Sequence, residues 1–378
     1  MGGMMALLDS AVSLLTPDLF AKARAILPPI TLPRPRRRLL GGLPDRPTAL
    51  VWAPDGSHLA MICHPAETVV WHATRDACDY FPPAMAFAFT GGDAQTLLWD
   101  DGQHVQHSRM LLTVSIAEGA STSCKRWSRL LPMDADRCVF VEGFEPDRFP
   151  KSARWTARCL ASGASWPFAG GPCSGPVEVL RDHNLLAVAD AALLQFWEVP
   201  SRGVELPKTL LRQQVAMPCT DVIRALATYQ HSCVVGCVRG HCYEYDCRAQ
   251  AWTRGVECPG KDAITALAVS SDGRVLFVST SNAASMIGMD WQRGEVLRNI
   301  GPFYRRRSPR LLAASPDCRV IACDEYLPPT DDRCWSDRVL DWSDRMGIRS
   351  GGQLRLVTLL DFGTPHFGVT HWADASFG

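Results

Sequence analysis

"ITALAVSSDGRVLFVST", residues 264–280, is an apolar run, a Ser-Asp-Gly and a second apolar run. Asp caps the backbone of a tight turn with its own side chain, and Gly accepts positive φ, so the stretch reads as strand, turn, strand. Two further stretches share that design. "TALVWAPDGSHLAMI" (48–62) turns on Pro-Asp-Gly, and "RLLAASPDCRVIACD" (310–324) turns on Ser-Pro-Asp. Weaker copies lie at 84–101, 127–144, 177–199 and 222–246. Centring the turns on Asp55, Gly92, Ala135, His183, His231, Asp272 and Asp317 gives spacings of 37 to 48 residues. Such a period suits a repeated unit of about 40–45 residues and four strands.

A second regularity follows each turn. Trp71-His72, Trp197-Glu198 and Tyr245-Asp246 stand 14 to 16 residues past their turn centres. An aromatic followed by a polar residue at that place resembles the Trp-Asp dipeptide of the WD40 β-propeller family. The resemblance covers roughly residues 47–372 and departs from the family in two places. Trp99-Asp100 comes too early after its turn, and Gly240-His241 falls between inner strands rather than before a first strand. The expected fold is all-β, a WD40-like β-propeller of seven blades over residues 47–378, with a short N-terminal helical extension and a helical insertion in the last blade.

Three segments stand outside the repeat. Residues 1–30 are expected to form two short helices. Met4, Leu7, Leu8, Ala11 and Leu15 make the apolar stripe of the first, and Thr16-Pro17-Asp18 is a start signal for the second. That hairpin docks either on the propeller itself or on a partner or membrane surface. Residues 31–46 read as a Pro/Arg-rich linker carrying Arg34, Arg36, Arg37 and Arg38, a candidate nuclear-import or phosphate contact. Alternatively, residues 30–32 could add an outer strand to the last blade and close the ring. In the insertion at 325–352, "CWSDRVLDWSDRMG" (334–347) sets Trp335, Val339, Trp342 and Met346 on one helical stripe. Two tryptophans on one exposed face need a cover, and partner contact is the reading preferred for them.

The 39 basic and 39 acidic residues cancel, so the chain as a whole has no charge bias toward a polyanion. Nucleic acid is unexpected except through the basic linker. There is no apolar run of membrane-spanning length. The N-terminus has no basic leader and carries Asp9, so no secretory leader is expected. The 15 cysteines then suit a reducing compartment as small buried groups. The expected location is intracellular, cytoplasmic or nuclear, with mitochondrial import left open. A divergent propeller preceded by helices also resembles Aladin-type nucleoporins, which would place it in a nuclear pore or another nuclear assembly.

No nucleophile elbow, phosphate loop, dinucleotide fingerprint or zincin motif occurs. The densest ligand-like group is His231, Cys233, Cys237, His241, Cys242 and Cys247, but it lacks a Cys-x2-Cys knuckle and reads as thiols packed between blades. The sequence therefore predicts no catalytic residues, no cofactor and no metal. It predicts a scaffold that holds protein subunits of a larger complex together. The alternatives are an enzyme working through the central channel and a nucleic-acid-associated subunit.

Overall fold

The Ser-Asp-Gly turn is built from its own side chains. Asp272 Oδ1 accepts the Arg274 amide at 3.0 Å, Ser270 Oγ accepts the Val275 amide at 2.8 Å, and Gly273 sits at φ +69°. Asp55 and Gly56 repeat the arrangement: Asp55 Oδ1 accepts the Ser57 amide at 2.9 Å, and Gly56 lies at φ +73°. At the last such turn Ser315 Oγ accepts the Val320 amide at 3.0 Å.

The computed structural model describes residues between Ile30 and Phe362 apart from connecting segments, the longest being 110–121, 143–153, 168–175, 200–210 and 327–354. Among the described residues the fold is all-β, in seven four-stranded antiparallel sheets. Strand β1 (Arg36–Leu40) comes first in the chain. The first sheet is β2 (Ala49–Trp52), β3 (His58–Ile62), β4 (Glu67–His72) and β5 (Ala77–Pro83). The second is β6 (Ala86–Thr90), β7 (Thr96–Asp100), β8 (His104–Arg109) and β9 (Thr122–Ser123). The third is β10 (Ser128–Pro132), β11 (Arg137–Glu142), β12 (Arg154–Cys159) and β13 (Ser165–Pro167). The fourth is β14 (Val177–Leu180), β15 (Leu185–Asp190), β16 (Leu193–Glu198) and β17 (Leu211–Ala216). The fifth is β18 (Ile223–Tyr229), β19 (Ser232–Cys237), β20 (His241–Asp246) and β21 (Ala251–Glu257). The sixth is β22 (Ile264–Val269), β23 (Val275–Thr280), β24 (Met286–Asp290) and β25 (Glu295–Ile300). The seventh joins β26 (Leu312–Ala314), β27 (Val320–Tyr326) and β28 (Arg355–Asp361) to β1.

All seven turn centres read from the sequence fall between the first and second strands of a sheet. The aromatic-polar dipeptides end third strands β4, β16 and β20, whereas Trp99-Asp100 ends the second strand β7. The polar partner has a local job: Asp246 Oδ1 accepts the amides of Arg248 (2.7 Å) and Ala249 (3.0 Å), capping the turn into β21. Asp290 Oδ1 does the same for Arg293 at 3.1 Å.

The cores lie between sheets. First strands meet in sequence: β2 adjoins β6, β6 adjoins β10, and so on through β14, β18, β22 and β26, which returns to β2. Strands β19 and β23 are buried at every position because each is flanked by neighbouring sheets on both faces. Outer strands β17 and β21 alternate instead between half-buried and exposed. Trp71, Trp197 and Tyr245 each enter a cluster shared with an adjacent sheet. An isolated hairpin is marginal in water, while each large apolar side chain buried at a seam is worth about 1.5–3 kcal/mol. Seam packing therefore dominates the stability of the array.

One seam also carries a polar staple. Glu244 of the fifth sheet is 2% exposed. Its Oε1 accepts from Tyr229 Oη (2.6 Å) and Ser232 Oγ (3.0 Å), and its Oε2 accepts the indole N–H of Trp291 (2.9 Å), which follows β24 of the sixth sheet. Tyr229 in turn covers the Ser-Asp-Gly turn, because a Cβ on Gly273 would lie 1.9 Å from its ring.

The segment expected as a linker over 31–46 is in part a strand. Arg36–Leu40 pairs antiparallel with β28 from Arg36↔Asp361 to Leu40↔Val357. The outer strand is thus not residues 30–32. Ile30 and Leu32 instead bury their side chains between the sixth and seventh sheets, and the Leu32 carbonyl accepts from Arg298 Nε at 3.1 Å. A strand can run through an arginine cluster because its ladder is made by the backbone, and at an edge the side chains stay in water.

Candidate functional site

Trp335, Val339, Trp342, Met346, Leu7, Leu8 and Leu15, the residues expected to meet a partner, lie outside the described residues, as do both expected helical segments apart from Ile30, Glu325 and Tyr326. Arg34, Arg36, Arg37 and Arg38 are described, and none of them is buried. Arg38 is engaged within the fold: it pairs with Asp76 of the first sheet, and its guanidinium stands 5.5 Å from the centre of the Trp71 ring. A half-exposed ion pair is worth about 0–1 kcal/mol and an exposed cation–π contact about 0.5–1 kcal/mol. Arg38 therefore orients the join between seventh and first sheets, and the ladder with Leu40 packing holds it.

The six-residue ligand-like group of the sequence is split by strand geometry. Side chains alternate between sheet faces, and a hairpin sends its two ends apart. His231, at the turn between β18 and β19, faces His183 of the fourth sheet, Nδ1 to Nε2 at 2.9 Å. Cys233 and Cys237 share the seam with the fourth sheet. Cys242 points to the opposite seam, where its Sγ lies 3.7 Å from that of Cys258. Burial pushes the Cys233 thiol well above its usual range and the Cys247 thiol up to about 12.

Two of the six meet new neighbours at the other end of the same seam. The loop 217–222 carries the chain from β17 to β18 and brings Cys219 and Asp221 beside Cys237, the last residue of β19. The two Sγ atoms and an Asp221 carboxylate oxygen all lie within 4.8 Å of one another. His241, the first residue of β20, places Nδ1 3.9 Å from Asp221 Oδ2. That nitrogen is buried and has no hydrogen-bond partner. The His241 ring stacks on Tyr243, with centroids 6.0 Å apart. Burial, then a hydrogen bond with Cys219, pushes the Tyr243 phenol up to about 12. Burial first, then the Asp221 carboxylate, raises the Cys237 thiol.

The backbone holds this group rigidly. Asp221 Oδ1 accepts the Val222 amide and Oδ2 the Arg239 amide, both at 2.8 Å. The Val238 amide donates to the Val222 carbonyl at 3.0 Å, tying the β19–β20 turn to the loop. Gly240 lies at φ +80°, where a Cβ would come within 2.8 Å of the Lys261 backbone. Two thiols and a carboxylate thus converge on a preorganised corner that is partly open to solvent, with an imidazole nitrogen beside the carboxylate. Cys219 and Asp221, in "PCTDV" (218–222), give no ligand-like spacing in the sequence, because they stand 18 and 16 residues before Cys237 on a loop.

No protein-family model matches the chain, and no curated protein matches it. Among the described residues, no helix is long and apolar enough to cross a membrane.

Proposed function

We propose that the chain is a seven-bladed WD40-like β-propeller working as a non-catalytic scaffold, a structural subunit of a larger protein complex. The carrying observation is that the seven first strands adjoin one another in a cycle and that β1, from the start of the described chain, completes the seventh sheet. A ring fastened in this way offers a large surface at low conformational cost, which suits stable subunits. Trp335, Val339, Trp342 and Met346 on the 325–352 insertion are the first contact with a partner subunit, and Leu7, Leu8 and Leu15 are the second.

Two measurements test the reading. Class averages of the purified protein by electron microscopy are expected to present a disc of seven equal lobes, and a six- or eight-lobed disc would refute the blade number. The native complex purified through a tagged chain is expected to hold stoichiometric partner subunits. One of these should be lost from Trp335→Ala/Trp342→Ala while the mutant keeps its melting temperature. A chain that runs alone at every concentration and from every extract would refute the scaffold.

A further inference from the structure

The corner formed by Cys219, Asp221, Cys237 and His241 has the chemistry of a metal site. Thiolates and imidazole are borderline-soft donors suited to zinc-class ions, whereas magnesium and calcium require oxygen cages. A tetrahedral zinc centre with bonds of about 2.0–2.3 Å needs ligand atoms roughly 3.3–3.8 Å apart. Three of the four donor atoms here already lie within 4.8 Å of one another, close to that spacing. The fourth supplies a separate observation. His241 Nδ1 is buried beside Asp221 without a hydrogen-bond partner. A buried polar atom left in that condition carries an uncompensated desolvation penalty, and a bound cation would remove it. Asp221 is oriented by two backbone amides, the kind of outer contact that fixes metal ligands in place.

We infer that Cys219, Asp221, Cys237 and His241 bind one divalent cation of the zinc class. Coordination displaces the two thiol protons to solvent and joins both sulfurs, one carboxylate oxygen and Nδ1 to the ion. Four protein donors close the coordination shell, so the ion is structural. It ties the loop between the fourth and fifth sheets to the β19–β20 turn, at the end of the seam opposite the His183–His231 pair.

The test uses the full-length chain, stripped of metal with a chelator under reducing conditions and titrated with Co(II), then with Zn(II). One equivalent of Co(II) is expected to produce thiolate-to-metal charge-transfer absorption with intense tetrahedral d–d bands, and Zn(II) should abolish both. Cys219→Ser should remove the charge-transfer signal or weaken binding at least 100-fold. His241→Gln, which keeps both thiols but removes the Nδ1 ligand, should weaken binding by more than the roughly 10- to 100-fold that losing an outer contact costs. Cys233→Ser, in the same seam but outside the corner, should titrate like the parent. The inference is overturned if the reduced parent gives no charge-transfer band, if Cys219→Ser binds Co(II) equally well, or if thiol counting finds Cys219 and Cys237 joined as a disulfide. Cys219 is on a loop, so its variant can be checked for an unchanged circular dichroism spectrum even if Cys237→Ser fails to fold.

Discussion

Replacing Trp291 by Phe removes the one indole N–H that reaches from the sixth sheet to the Glu244 carboxylate at 2.9 Å. A hydrogen bond to a charged acceptor is worth about 1.5–3 kcal/mol. The smaller ring also leaves a void at a fully buried position, adding roughly 1 kcal/mol. The loss of stability should therefore be about 3 kcal/mol. With an unfolding entropy of about 2.1 cal/mol/K per residue, a 378-residue chain loses about 4 °C in Tm for that change. Urea unfolding followed by far-ultraviolet circular dichroism gives the free energy, and a thermal melt gives the Tm shift. A double-mutant cycle with Glu244→Gln isolates the contact, and its coupling should exceed about 1 kcal/mol. A destabilisation under about 1 kcal/mol, or effects that add within the ~0.3–0.5 kcal/mol typical of independent sites, would refute the staple.

Three further outcomes follow from the same geometry. Gly273→Ala and Gly56→Ala both meet positive φ, worth about 1–2 kcal/mol. Only Gly273 would also drive a Cβ to 1.9 Å from a ring, against 3.5 Å at Gly56, so Gly273→Ala should show the larger Tm loss or fail to fold. Removing residues 1–40 exposes the edge of β28 and should yield oligomers on size-exclusion chromatography, whereas Arg38→Ala should stay monomeric and lose less than about 1 kcal/mol in urea. Burial, then the neighbouring His72, lowers the His58 pKa below its usual 6.5. The unfolded chain then takes up the proton first as pH falls. The stabilisation is complete above about pH 6.5 and is lost as pH drops through the window below it, and His58→Gln should flatten that part of the Tm–pH curve.

Short-range chemistry was legible in the sequence. Asp55 and Asp272 mark turns because their side chains close those turns without outside help. Trp71, Trp197 and Tyr245 mark third strands because each carries a large apolar group into a seam next to a turn. What escaped depends on partners distant in sequence. Arg36–Arg38 resembles solvated linker because no side-chain pattern records a backbone ladder with β28. Cys237 and His241 stand out in the sequence, but in the company of Cys233, Cys242 and Cys247. Strand alternation disperses that company, and the packing of one sheet on the next supplies Cys219 and Asp221 instead. Gly240-His241 fits no family position, yet its Gly holds the turn that presents His241.

The pairing of β1 with β28 has a consequence during synthesis. Residues 36–40 leave the ribosome more than 300 residues before 355–361. At about 5–20 residues per second, the arginine-bearing strand waits roughly 15–60 s for its mate. Throughout that interval the nascent chain exposes a cationic segment with a free backbone edge, open to any chaperone or polyanion that reaches it first.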